Sequence, residues 1–125
     1  MAVIFVNDIE DITLDNEYYR KVIYTTKDKN MQLVIMSLKP EEEIGMEVHK
    51  NVDQFFRIEK GSGVVVYGIN KKTKNIKEND VIIIPAGIYH NIINTDKHTE
   101  LKLYTIYTPA NHPDKKKEKN KPKNK

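Results

Sequence analysis

Val81-Ile82-Ile83-Ile84-Pro85-Ala86-Gly87-Ile88-Tyr89-His90-Asn91-Ile92-Ile93-Asn94 sets two short apolar runs on either side of a proline–glycine turn, with a histidine where the second run begins. β-Branched runs bounded by turn residues read as strands, so strands are predicted over 81–84 and 91–94, broken by Pro85-Ala86-Gly87. Working outward, the same pattern repeats. Residues 21–26 and 31–38 flank the polar cluster Lys27-Asp28-Lys29-Asn30 and predict a hairpin. Pro40 and the run Glu41-Glu42-Glu43 end that unit. Further strands are predicted over 52–59, 63–69 and 100–108, separated by Gly61-Ser62-Gly63, Asn70-Lys71-Lys72, Glu78-Asn79-Asp80 and Asn94-Thr95-Asp96. Many short strands with close turns predict an all-β sandwich or barrel. Near the N-terminus, Asn7 or Asp8 is placed to cap a helical turn over 9–12, and Asp15 to cap another before Tyr18.

The chain of 125 residues has room for one domain with one core. It has no cysteine, which excludes disulfides, a thiol nucleophile and thiolate-held zinc, so any metal must be held by nitrogen and oxygen. No apolar run approaches the roughly 20 residues of a membrane-spanning helix. The first residues also lack the basic and apolar regions of a secretory leader, so a soluble cytoplasmic protein is expected. The net charge of +3 is unevenly placed. Residues 113–125 carry seven Lys against Asp114 and Glu118, a net +5, while residues 1–112 carry 14 basic and 16 acidic residues, a net −2. The expected organisation is a folded domain over 1–112 and a disordered, solubilising Lys-rich tail over 113–125 that buries nothing. Without arginine or aromatic residues the tail is a poor nucleic-acid arm.

Chemistry enters through strand periodicity. In Asp53-Gln54-Phe55-Phe56-Arg57-Ile58-Glu59 a period of two puts Gln54 on the same face as Phe56 and Ile58. An amide facing a core needs a partner, because burying it bare costs roughly 1–3 kcal/mol. Glu47 and His49, two apart, point the same way if 43–50 is extended.

These residues carry a family resemblance. The stretch from Gly45 through Glu47, His49, Gln54 and Phe55-Phe56 to Gly61-Ser62-Gly63 resembles the first cupin motif, and Pro85, Gly87, His90 and Asn94 fall on the positions of the second. Glu47 stands where the family's first metal histidine lies, Gln54 where its carboxylate lies, and Asn79 where the second motif opens with glycine. Asparagine also accepts the left-handed backbone of a turn. The resemblance implies an all-β cupin jelly-roll barrel, the double-stranded β-helix, holding one divalent ion at Glu47, His49, Gln54 and His90. Mn(II), Fe(II), Zn(II) and Ni(II) all suit that donor set.

Two classes of function stay open. One is an enzyme similar to phosphomannose-isomerase-like cupins, acting on a sugar or small oxygenated carbon compound, or to iron-dependent dioxygenases; Glu47 is then a ligand or the catalytic base. The other is a cupin that binds a small ligand without turnover. His98 and His112 match no motif position and are assigned to solvent, and Tyr67, Tyr104 and Tyr107 to packing. No phosphate-binding Gly-rich loop or Gly-x-Ser-x-Gly elbow is present, and Gly61-Ser62-Gly63 reads as a hairpin turn. Apolar segments 3–6 and 21–26 make poor bare sheet edges, so a homodimer pairing through the N-terminal strands is expected.

Overall fold

The computed structural model describes residues 3–123; Met1, Ala2 and the last two residues of the tail lie outside it. Two antiparallel sheets share one core. The larger has the strand order β6-β3-β8-β2-β1-β9 and the smaller β5-β4-β7. Their ranges are β1 Arg20–Thr25, β2 Gln32–Leu38, β3 Asp53–Lys60, β4 Ser62–Tyr67, β5 Lys72–Lys77, β6 Val81–Ile84, β7 His90–Asn94, β8 Leu101–Thr108 and β9 Lys117–Glu118. Among the described residues a single helix, α1 (Ile9–Asp15), begins at Asp8, whose side chain accepts from the Asp11 N–H, so the predicted cap is the one used. Asn16 ends that helix, and no second helical turn precedes Tyr18.

The period-two reading of β3 holds: Gln54, Phe56 and Ile58 are buried while Phe55, Arg57 and Glu59 are only half-buried. Phe56 and Ile58 meet Val34, Met36 and Leu38 of β2, Leu101 and Leu103 of β8, Val65 of β4 and Ile92 of β7 in one apolar cluster. The predicted hairpin of β1 and β2 forms with a bulge between Val22 and Tyr24. Asn79 takes the left-handed conformation expected of it, φ 74°.

Three expectations are corrected. Gly61-Ser62-Gly63 closes no hairpin: β3 and β4 lie in different sheets, and the turn carries the chain between them. Gly61 has φ +93°, and a Cβ there would stand 2.5 Å from the Glu100 carbonyl oxygen, so only glycine fits where the chain crosses. Lys72–Lys77, read in part as a turn, is strand β5. Only Ile76 of it is buried, so it pairs with β4 through its backbone and leaves no apolar periodicity to read.

The third correction is the tail. Residues expected to be disordered run beside β1 as β9, with Arg20 paired to Glu118 and Lys21 to Lys117. Tyr19 N–H donates to the Lys119 carbonyl and Val22 N–H to that of Lys116, while Lys39 Nζ donates to Asn120 Oδ1. The reason is electrostatic and lies inside the sandwich. Arg20 faces the core with Val22, its side chain is 4% exposed, and Glu118 is the carboxylate that pairs with it. The same pairing covers the β1 edge assigned to a dimer, and the other segment assigned to it, residues 3–6, forms no strand. Among the described residues, no helix is long and apolar enough to cross a membrane.

Glu118→Ala should therefore lower unfolding free energy by about 3–5 kcal/mol, the usual penalty for stranding one member of a buried ion pair. Urea denaturation of the full-length variant measures it, and a change within error would mean the strap does not hold Arg20.

Candidate metal centre

The site is assembled by a pair of reciprocal backbone hydrogen bonds. Glu47 N–H donates to the His90 carbonyl and His90 N–H to that of Glu47, both at 2.8 Å, so the two residues stand directly opposite each other across an antiparallel bridge. Ile44 N–H to the Ile92 carbonyl (3.0 Å) and Asn94 N–H to that of Glu42 (2.9 Å) extend the pairing along β7. Asn91 locks it from the side, its Oδ1 accepting from Gly45 N–H and its Nδ2 donating to Glu43. Segment 43–49 is not one extended run: it bridges β7 at Glu43 and Glu47 and bends between them at Gly45, φ 106°. The Gly87 N–H donates to the His49 carbonyl and ties the Pro85–Gly87 turn to the same place.

One ligating atom from each of Glu47, His49 and His90 lies within 4.8 Å of the other two. Glu47 Oε1 is 3.6 Å from His49 Nε2, and those side chains are only 15% and 13% exposed. His90 is buried and its Nδ1–H donates to the Ile88 carbonyl at 2.9 Å, which leaves the lone pair on Nε2. That Nε2, His49 Nε2 and Gln54 Oε1 are all buried without a hydrogen-bond partner. Gln54 stands on β3 opposite Tyr107 of β8, its Nε2 donating to Thr105 Oγ1 at 2.9 Å. Burial lowers the proton affinity of both histidines, with Arg20 adding to the effect at His49 and the Ile88 hydrogen bond opposing it at His90. Neutral imidazoles, an acidic side chain and a bare amide oxygen are the donor forms a divalent metal takes, so these residues fit the ion.

The neighbouring strands show why Gln54 is distinctive. Gln54 and Gln32 flank Tyr107 on β3 and β2, both facing inward. Gln32 is fully engaged: its Oε1 accepts from the Asn111 and His112 N–H groups, and its Nε2 donates to the His112 carbonyl and Thr25. Gln54 keeps one end open. Burial pushes the Tyr107 hydroxyl up to about 12 despite the opposing charge of Arg20, and the Gln54 amide close by also eases that rise without bringing Oε1 into hydrogen-bonding geometry.

His112 was assigned to solvent and belongs here instead. Gln32 clamps its backbone, its Nε2 lies 3.3 Å from the Tyr107 hydroxyl, and its ring meets that of Tyr107 edge-on. Tyr107 in turn stands edge-on to His49, so it lines the site as well as packing. His98 is exposed, as expected. Arg20, Glu118 and His112 are the residues sequence reasoning missed. Only the alternation Arg20, Val22 on β1 carried a signal, and it is legible once the strand is known to begin at Arg20.

A small two-sheet fold with a His/Glu cluster on one inner wall defines a β-sandwich of the double-stranded β-helix class. The comparisons place it further: the family model "Cupin domain" matches residues 34–107, and the chain belongs to the cupin family. It is 50% identical over 111 residues to protein L612 of Acanthamoeba polyphaga mimivirus (88% of this chain, 68% of that one). It is 45% identical over 113 residues to YrkC of Bacillus subtilis strain 168 (87% of this chain, 59% of that one), so it spans little more than half of YrkC. A crystal structure of a Bacillus halodurans protein superposes with a TM-score of 0.89 at 37% identity, covering 94% and 89% of the two chains. A Thermotoga maritima structure described as a predicted oxalate decarboxylase superposes at 0.60 with 28% identity, covering 66% of this chain and 69% of that one.

His49→Ala combined with His90→Ala should abolish divalent-metal uptake, and Gln54→Ala should weaken it less, because a neutral amide is the weakest of the four donors; metal analysis after equilibrium dialysis reads both. A second expectation concerns acid. Burial first, then the charges of Arg20 and Lys116, push His112 down to about 4 from 6.5. Below pH 6.5 the unfolded chain takes up a proton that the folded one refuses, so this group's contribution is present above 6.5 and is lost as pH falls toward about 4. His112→Gln should flatten that part of the profile of unfolding free energy against pH; an unchanged slope would contradict the burial of this ring.

Proposed function

We propose that the chain holds one divalent metal through Glu47, His49 and His90, with Gln54 as a neutral fourth ligand, and presents it to a small oxygen-rich carbon compound. The observation that carries this reading is that one ligating atom from each of Glu47, His49 and His90 lies within 4.8 Å of the other two, while His49 Nε2 and His90 Nε2, like Gln54 Oε1, are buried without a hydrogen-bond partner. Leaving each bare costs about 1–3 kcal/mol, and a single ion satisfies them together. Bound there, the ion would supply Lewis-acid polarisation of a ligand oxygen or a lowered pKa for a bound water.

The chain's own residues do the rest. Glu47 is a ligand or, left uncoordinated, the carboxylate that moves a proton. Tyr107, pushed up to about 12, stays protonated at neutral pH and offers an O–H donor on the same wall. A sugar-directed, isomerase-like activity rests on the resemblance to phosphomannose-isomerase-like cupins. A second reading, a small carboxylate ligand, is favoured by the buried guanidinium of Arg20 and agrees with the description of the Thermotoga relative.

The assembly that fits is a two-fold dimer, its interface moved from the N-terminal segment to β6. That strand is an edge of the larger sheet and exposes Val81 (52%) and Ile83 (64%), which a second copy would cover. Light scattering should give twice the 14.6 kDa chain mass, and Ile83→Lys should return it to the single-chain value.

Elemental analysis of untagged protein tests the central claim. About one equivalent of ion is expected, with redox-active iron favouring oxygenation and manganese or zinc favouring isomerisation or hydrolysis. Failure to take up Mn(II), Fe(II), Zn(II) or Ni(II) in turn would overturn it.

A further inference from the structure

Where β6 ends the larger sheet and β5 ends the smaller one, a cavity of about 540 Å³ lies between them, the size of a small-molecule site. Strand register places it on the inner faces. Ile82 and Ile84 of β6 stand opposite the buried Phe56 and Gln54, and Val65 and Tyr67 of β4 opposite the buried Ile92 and His90, so these four side chains point between the sheets. Ile76 of β5, opposite Gly63, joins them. Val81 and Ile83 border the opening but alternate to the outer face, the one assigned above to a second copy. Tyr67 is the cross-strand neighbour of His90, yet none of Glu47, His49, Gln54 and His90 lines the cavity, which is therefore a separate site beside the metal cluster.

The chemistry of this cavity has two parts. Its interior is isoleucine and valine, with nothing to pair the several hydroxyls of a sugar. Its mouth carries one cation. Lys74 takes an inward position on β5, opposite the buried Val65, and lines the cavity. The residue is exposed, so its stem runs along the wall and its ammonium reaches solvent. Among the described residues Lys74 has no ion pair, and Asp80, the one acid on the lining, is already held by Lys77, accepting from its N–H at 2.9 Å and lying 3.8 Å from its Nζ. Tyr67 is the diagonal neighbour of Lys74 on the adjacent strand, about 7 Å away at the backbone and within reach of two long side chains. Its hydroxyl makes no hydrogen bond among the described residues. An ammonium and a hydroxyl donor at the mouth of an apolar slit are complementary to a carboxylate on an aliphatic chain.

We propose that the cavity between β5 and β6 binds a small aliphatic monocarboxylate, its chain among Val65, Ile76, Ile82 and Ile84 and its carboxylate held at the mouth by Lys74 and the Tyr67 hydroxyl. The inference goes beyond the metal reading, since no ion is needed to seat the ligand. The chain's methylenes leave water for the isoleucine walls, which supplies the affinity. The charge stays at the solvent-facing end, so no ion has to be desolvated in the interior.

The test is calorimetric titration of butanoate, hexanoate and octanoate into the full-length chain. Affinity should rise about four-fold with each methylene, the gain from burying one such group. Lys74→Gln should weaken hexanoate about two- to five-fold, the range of a solvent-exposed ion pair, and leave the uncharged hexan-1-ol unaffected. Ile88→Asp sets a carboxylate on the cavity wall at a loop position already 39% exposed, and should weaken both ligands by about ten-fold or more. Amide chemical shifts locate the ligand: those of Val65, Ile76 and Ile82 should move with hexanoate. Movement confined to Tyr24, Leu33 and Ile106 would place it in the groove those residues line and overturn the proposal. Affinity independent of chain length, or hexanoate affinity indifferent to Lys74→Gln, would overturn it too. If Ile88→Asp does not fold, the chain-length series and the shift map decide. Hexanoate should bind equally to chelator-stripped and Zn(II)-loaded protein. A requirement for Zn(II) would put the carboxylate on the ion, overturning this assignment and supporting the metal reading, whereas hexanoate binding of the expected pattern in protein that takes up no metal sustains the assignment and overturns that reading.

Discussion

The two 2.8 Å backbone hydrogen bonds exchanged between Glu47 and His90 are the constraint on which the site depends. They join an irregular segment, 43–49, to the first residue of β7, and they set the parity of both partners at once. With Glu47 fixed, His49 follows two residues on, on the same face; with His90 fixed, its Nδ1–H finds the Ile88 carbonyl and its Nε2 is turned inward. A slip of one residue in that pairing would send every ligand to the opposite face. Asn91 and Gly87 brace the pairing from either side, which is why Glu47 and His49 can be held without a strand of their own.

The interior around this pair is more polar than a sandwich core needs to be. Arg20, Gln32, Gln54, His90, Asn94, Lys102 and Thr105 are all buried. Most are satisfied: Lys102 Nζ donates to the Leu14 and Asn16 carbonyls, and Asn94 Nδ2 to those of Leu38, Lys39 and Thr99. These fix loops and the N-terminal segment to the sheets. Open ends remain at His49, His90 and Gln54, and also at Thr13, Tyr19, Arg20 and Arg57. Buried polar atoms that a fold leaves open are costly, and the two imidazole nitrogens of His49 and His90, brought together with Glu47, mark the functional side of this core against its structural side.

The C-terminal strap links those two sides. It covers the β1 edge, bringing Glu118 to Arg20 and, at its start, His112 to Tyr107. Composition misread it because lysine-rich sequence has no apolar area with which to order itself. What orders it is a cation already buried in the sheet, a long-range partner that no local window contains.

The sequence by itself determined the strands with apolar alternation, the capped helix at Asp8, the left-handed turn at Asn79 and the inward face of β3 that carries Gln54, because each follows from chemistry confined to a few neighbouring residues. It also marked His49 and His90 through their resemblance to the positions of the two cupin motifs. Tertiary structure alone decided that Gly61–Gly63 crosses between sheets, that Lys72–Lys77 is a strand, that Arg20 is buried against Glu118, and that His112 stands beside Tyr107. Those outcomes depend on pairings between residues distant along the chain: Arg20 and Glu118 are 98 positions apart, and no property of either residue alone states that one is buried and the other is its counter-charge.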